Sequence, residues 1–425
     1  MNFLKQNLFS LIALAVVICL TCVNALFYMN EGDNEGSQEI ISNTEYVEQQ
    51  VTNNIEINNS SFDITSATAR GLQSAVSVYC TFTMTYGGNS FWNPTPTTQT
   101  YYSSGSGVIY NVDKDGNAYV LTNYHVVYDA DSDTDNHISE KIYIYLYGLE
   151  NESYAIEAKY VGGSPNYDIA VLKVTENEII KNGFNAGTVA AAELADSNNI
   201  TPGNTAIAIG NPTSSSELGG ISATNGVVSV DSEYITMTAA DERSEVTYRL
   251  IRIDTPVNAG NSGGGLYNAE GKLIGIVNAK ISTSSIENIG YAIPSNVVRA
   301  VADNIIYYSQ NGSYSNVMRC ILGITVTTDE MSTYYDTQKG ILQKLESVII
   351  AEITNGGLAD GKLQANDVIK SIKINEKTVD VTRQHHLIDT MLDVRVGDEV
   401  VFTVLRNGEE IAVSITIDEN CLTAY

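Results

Sequence analysis

Short apolar runs with β character fill most of this chain, and no long helix separates them. They include "AVSVYCTFTM" (75–84), "GSGVIYNV" (105–112), "AYVLTNYHVV" (118–127), "KIYIYLYG" (141–148), "IAVLKV" (169–174), "TAIAIG" (205–210), "NGVVSV" (225–230), "YRLIRID" (248–254) and "KLIGIVNA" (272–279). Turn signals such as Asp115-Gly116 and Glu270-Gly271 part them. Many short strands without crossover helices fold as an antiparallel barrel or sandwich. One helix is expected afterwards, capped by Ser295 and carrying Val298, Val301, Ile305 and Ile306 as an apolar stripe. It is expected to close the β domain. After the linker "SQNGSYSN" (309–316), strands and a helix near Arg383 to Leu392 alternate up to about Asp418. That last segment has the length of a small α+β domain.

The N-terminal end is of another kind. No charge occurs from Leu8 to Phe27, a run long enough to span a bilayer as a helix. Lys5 precedes it and Glu31, Asp33 and Glu35 follow, which orients the bulk of the chain outward. Residues 1–28 are therefore read as a single-pass anchor in the lipid bilayer. Val23-Asn24-Ala25 offers a cleavage site for the alternative, a secreted protein. Residues 29–67, rich in Asn, Glu, Ser and Gln, read as a disordered tether. A net charge of −27 argues against nucleic acid as a partner. Of the cysteines, Cys19 and Cys22 lie in the apolar run; Cys80, Cys320 and Cys421 are far apart and imply no disulfide framework.

Three side chains suggest chemistry together. His125 ends a strand in "VLTNYHVV", Asp168 begins another in "NYDIAVLKV", and Ser262 stands in "GNSGGGL". A serine hydroxyl needs an adjacent base to attack a carbonyl. A histidine takes and returns that proton near neutral pH, and a carboxylate fixes its tautomer. Glycines around the serine let backbone N–H groups converge on an oxyanion. A phosphate cradle is excluded because no Lys-Ser/Thr follows the glycines.

The motifs "LTNYHVV", "YDIAVLKV", "AIGNP", "NGVVSV", "DTPVNAGNSGGGLYN", "GKLIGIVNAK" and "IGYAIPSN" follow one another as in the HtrA (Deg) family of trypsin-like serine proteases, which the chain resembles. Its "ILGI", "GGLADGKLQANDVIKSI", "INEKTV" and "VGDEVVFTVLRNG" are similar to the PDZ domain that follows in that family. The resemblance implies a mostly β chain: a chymotrypsin-like double β-barrel protease domain over 68–312, then an α+β PDZ domain over 318–418. His125 would be the general base, Asp168 its orienting acid and Ser262 the nucleophile. Gly260, Asn261 and Ser262 would form the oxyanion hole. Ile321, Leu322, Gly323 and Ile324 would form the loop that captures a peptide C-terminus, with the helix of His385 and His386 as the other wall. The family further implies unfolded or misfolded polypeptides as substrates and a homo-trimer. No metal or organic cofactor is expected.

Some residues depart from the family pattern. Ala259 and Gly265 stand where proline is common, which is expected to loosen the nucleophile loop. "DSEYI" (231–235) stands where an arginine usually couples the regulatory loops. Pro256, six positions before Ser262, and the strand "GIVNAKIS" predict a first pocket for small aliphatic residues. Three further features read as surface: the His385–His386 pair as a solvent-facing helix, the acidic loop Asp129–Glu140 with His137 as solvated rather than a calcium site, and "NVDKDGN" as a hairpin turn. The Gly/Pro/Thr-rich segment 85–102 reads as a long loop for a neighbouring subunit. The expected function is quality-control proteolysis outside the cytoplasm. The alternatives are a catalytically silent peptide-binding chaperone and a regulatory protease for one membrane partner.

Overall fold

The computed structural model describes residues 64–87, 95–212, 219–281, 289–311 and 316–425. The residues read above as an anchor, and most of those read as a tether, lie outside the described residues. Among the described residues no helix is long and apolar enough to cross a membrane. The segment assigned to the tether ends earlier than expected, because helix α1 (Thr65–Ser74) begins within it. Buried Ala67 and Gly71 let α1 lie close on the strands beneath, and a Cβ at Gly71 would meet Ile209 and Tyr267.

Six strands close a first barrel: β1 (Ala75–Tyr86), β2 (Thr97–Val112), β3 (Ala118–Thr122), β4 (Lys141–Leu146), β5 (Ile156–Ser164) and β6 (Ile169–Val174), in the order β1-β2-β3-β6-β5-β4. Six more close a second: β7 (Thr205–Gly210), β8 (Ser222–Thr238), β9 (Glu245–Ile253), β10 (Gly265–Tyr267), β11 (Leu273–Val277) and β12 (Gly290–Pro294), in the order β10-β11-β12-β9-β8-β7. Closure leaves no unpaired edge. The pattern of β5 shows how sequence selects the faces: Ile156 and Ala158 turn inward, Glu157 and Lys159 outward. Within the segment 85–102, Thr85–Tyr86 and Thr97–Tyr102 are strand and lengthen β1 and β2 into a two-stranded arm, while residues 88–94 lie outside the described set.

Two short helices decorate the first barrel, α2 (Tyr124–Val127) and α3 (Glu178–Ala186), the latter capped by Asn177. Helix α4 (Ser295–Asn311) lies over β5, β6, β11 and β12 and so bridges the barrels. Its Val298 and Val301 join Ile169, Val171, Ile207 and Leu250 in one core. Ser295 donates its hydroxyl to the Ala195 carbonyl, 2.7 Å away, instead of capping the helix.

The last domain has a separate core around Val348, Ile350, Ile372, Phe402 and Val404. Its strands are β13 (Met318–Cys320), β14 (Ile324–Asp336), β15 (Ile341–Ile353), β16 (Val368–Ile374), β17 (Lys377–Asp380), β18 (Glu399–Arg406), β19 (Glu409–Thr416) and β20 (Leu422–Ala424), with helix α5 (Gln384–Met391) between β17 and β18. The domain runs past residue 418, since β20 returns to pair antiparallel with β13.

Ion pairs join this domain to the second barrel. Arg249 of β9 holds Asp389 of α5, Asp231 of β8 holds Arg383, and Arg299 of α4 reaches Asp393 at 2.7 Å. Asn304 brackets Met318, giving its side-chain amide to the carbonyl at 2.8 Å and accepting the N–H at 2.9 Å. The "DSEYI" departure therefore has a structural role: Asp231 faces a cation of the last domain. The His385–His386 pair is not solvent-facing. His385 is buried beside Arg249 and Arg383, and burial pushes its imidazole far below the usual range, so it stays neutral. His386 is half-buried, with Nδ1 3.1 Å from the Asp380 carbonyl.

Candidate active site

His125 sits on α2, one turn after β3 delivers the chain to the cleft, and Asp168 immediately precedes β6, the neighbour of β3 in the barrel. Strand pairing therefore brings the two together although 43 residues separate them. The Asp168 backbone is left-handed at φ +51, a conformation that costs on the order of 1 kcal/mol and needs support. Buried Asn123 supplies it by donating its side-chain amide to the Asp168 carbonyl at 2.8 Å.

The Asp168 carboxylate is 2% exposed and fully engaged. Its Oδ1 accepts the His125 backbone N–H at 3.0 Å, and its Oδ2 lies 2.7 Å from His125 Nδ1. A carboxylate only accepts, so Nδ1 carries the proton and Nε2 is left as the acceptor nitrogen. A third donor, Asn278 Nδ2, reaches the same Oδ2 at 2.7 Å from the end of β11. Replacing Asn278 with alanine deletes one charge-assisted bond. A fall of about 10- to 100-fold in kcat is expected, with KM unchanged. Steady-state kinetics on a peptide substrate check this; a change confined to KM would contradict it.

Ser262 follows Gly260, whose φ of +93 turns the loop, and precedes Gly263 at φ +85. A Cβ on Gly263 would stand 2.2 Å from the Ser106 carbonyl and 2.4 Å from Thr122 Oγ1, so only glycine lets the loop lie against the first barrel. Ser106 is the hub of that contact. Its N–H donates to the Ser262 carbonyl at 2.8 Å, and its hydroxyl donates to the Gly260 carbonyl at 2.7 Å. Thr122 in turn donates to the Ser106 carbonyl at 2.7 Å. Gly265 does not loosen the loop: it is a buried strand residue beneath Tyr267, whose ring a Cβ would meet at 2.4 Å.

The N–H groups of Gly260 and Ser262 donate no hydrogen bond to any described residue. The Asn261 N–H is spent on the Asn258 carbonyl at 3.0 Å. Ser262 Oγ accepts the Ala279 N–H at 3.1 Å and makes no hydrogen bond to His125. The segment Asn278–Ala279 therefore grips Asp168 with one residue and Ser262 with the next.

On the last domain, Ile321–Ile324 and α5 flank a groove of about 170 Å³ lined by Leu322, Val326, Leu387 and Met391. The Leu322 and Gly323 N–H groups have no hydrogen-bond acceptor among the described residues. In the acidic loop two carboxylates are held by backbone: Asp129 accepts from Asp131 N–H at 2.9 Å, and Asp133 accepts from Thr85 N–H. Its His137 is half-buried, with Nδ1 2.9 Å from the Ser132 carbonyl and its ring edge-on to Tyr128. Among the described residues no three His, Cys, Asp or Glu side chains gather as metal ligands.

Paired closed barrels, a buried Asp–His couple and a glycine-cradled serine define a trypsin-like serine peptidase domain, here joined to a PDZ domain. Residues 105–276 match the family "Trypsin-like peptidase domain" and residues 321–417 match "PDZ domain". The chain belongs to the HtrA family of serine proteases. It is 31% identical over 376 residues to Serine protease Do-like HtrA of Lactococcus lactis subsp. lactis (strain IL1403), covering 84% of this chain and 83% of that one. It is 32% identical over 322 residues to Serine protease Do-like HtrA of Bacillus subtilis (strain 168), covering 74% of this chain but only 64% of that relative. Among solved structures it is similar to HtrA-type protease AlgW with decapeptide, at a TM-score of 0.51 and 25% identity, over 85% of this chain and 99% of that one.

Proposed function

We propose that the protein is an extracytoplasmic serine endopeptidase that cleaves misfolded exported polypeptides. His125 acts as base and then acid, Asp168 orients it, and Ser262 attacks. The 2.7 Å contact between His125 Nδ1 and Asp168 carries this reading, because it leaves Nε2 as the base. Residues 1–28 would anchor the chain in the bilayer as a single-pass helix, with the segment up to Ile64 as the tether. The protease domain would work within a homo-trimer.

Regulation is part of the proposal. Ser262 Oγ rests on the Ala279 N–H, which favours a resting state released by a ligand. The same observation favours the silent chaperone as the second reading. Peptide C-termini at Ile321–Ile324 would supply the signal, their carboxylate meeting the unpaired Leu322 and Gly323 amides. Labelling with a fluorophosphonate separates the readings. Labelling of Ser262 that rises with C-terminal peptides is expected; its absence under all conditions would leave the chaperone.

The first pocket should take small aliphatic residues, since Pro256 and not an acid stands six positions before Ser262. With peptides differing only at the residue before the cut, Ala or Val is expected to exceed Lys or Arg at least about tenfold in kcat/KM. A preference for Lys or Arg would refute the assignment.

A further inference from the structure

Cys320 and Cys421 are 101 residues apart in sequence, yet their sulfurs lie 2.6 Å from each other. The pairing of β13 with β20 accounts for this: Cys320 sits opposite Leu422, and the Ile321 N–H donates to the Cys421 carbonyl at 2.9 Å. Cys421 Sγ also donates to the Asp418 carbonyl at 3.0 Å, and among the described residues no third His, Cys, Asp or Glu joins the pair as a metal ligand. Cys421 is buried and Cys320 half-buried at the edge of the groove, next to the loop Ile321–Ile324.

We infer that Cys320 and Cys421 form a disulfide that clamps the carboxylate-binding loop to the last strand of the PDZ domain. One thiolate attacks an external disulfide, carried by a thiol oxidoreductase or by oxidised glutathione, and releases one donor thiol. The second protein thiolate then attacks the mixed disulfide and releases the other donor thiol. The two cysteine sulfurs lose two electrons and two protons, and the donor disulfide is reduced to two thiols. The exported location proposed above determines only where the oxidant is met.

The bond joins the end of β13, just before the loop, to the turn that leads into β20 at the far end of the domain. It removes freedom from the unfolded domain, and it holds Leu322 and Gly323 ready before a peptide arrives. Burial and the neighbouring Cys421 push the Cys320 thiol well above its usual range, so its thiolate is scarce and exchange with an external disulfide is slow.

Cys80 is the internal control. It is fully buried in the first barrel, burial pushes its thiol up to about 12, and no other described cysteine lies near it. The full chain is incubated with oxidised glutathione, alkylated after denaturation and digested without reductant. Mass spectrometry should find the Cys320 and Cys421 peptides joined and lighter by two hydrogens, with Cys80 alkylated. Alkylation of both Cys320 and Cys421, or glutathione on either, would overturn the inference. Fluorophosphonate labelling of the same sample reports the hydrolase reading separately. Calorimetry with a peptide ending in a free apolar residue tests the clamp. Reduced wild type and Cys421→Ser should both bind about tenfold more weakly than the oxidised chain. Reduction should leave the variant unchanged; equal affinity in all three forms would remove the clamp.

Discussion

Ser262→Ala is expected to abolish degradation of unfolded casein, lowering kcat by about 10⁶-fold, the scale reached when one member of a catalytic triad is lost. Asp168 fixes the proton on His125 Nδ1, so in the proposed mechanism Nε2 takes the serine proton. Without Oγ that base has nothing to activate. The resting contact of Oγ with the Ala279 N–H is a far smaller effect. A single neutral hydrogen bond is worth about 1 kcal/mol net, or about fivefold in population. Rotation of the hydroxyl toward His125 is thus an easy regulatory step, whereas deletion of the hydroxyl is not recoverable. Casein binding should survive in the variant, since the groove on the last domain is untouched. His125→Ala should be as inactive, and the double variant no worse, because the residues act as one unit. Degradation by Ser262→Ala at the wild-type rate would sink the hydrolase assignment.

The parts of this site that could be read from sequence are those with local signatures. His125 ends an apolar strand, Asp168 begins one, and Ser262 is set in glycines, so each announces itself within a few residues. The barrels were legible for the same reason, through alternation such as that of β5. Asn278, Ser106 and Asn123 were not. Each is an ordinary polar residue whose role depends on which strand closure brings opposite it. The signals that could have found them are slight: Asn123 lies two residues before His125, and Ser106 is flanked by glycines. The closeness of Cys320 and Cys421 was not legible either, because a pair 101 residues apart leaves no spacing pattern. His385 misled because a polar helix face looks solvated until another domain covers it. Gly265 looked like a loosened loop because the Tyr267 ring over it is a matter of strand geometry.

Arg249→Leu is expected to cost about 3–5 kcal/mol of stability, because it strands a buried carboxylate without its countercharge. Asp389 is 7% exposed, and burial raises its carboxyl to about 6 even with Arg249 lowering it. Asp393 raises it and Arg299 lowers it, so the pocket holds two acids and two bases around one site. A carboxyl raised in the folded state stabilises the fold in its protonated form. That contribution is complete below the unfolded value, about 3.9, and is lost as pH rises through the folded value. Removing Arg249 lifts the folded value further and extends the loss to higher pH. The deficit of Arg249→Leu relative to wild type should therefore be larger at pH 8 than at pH 5, as read from urea unfolding at both. Adding Asp389→Leu removes the stranded charge and should restore most of the loss. Hydrogen exchange should show α5 opening in the single variant and protected in the double. A deficit below about 1 kcal/mol, or one equal at the two pH values, would mean that this contact is solvated and does not hold the domains together.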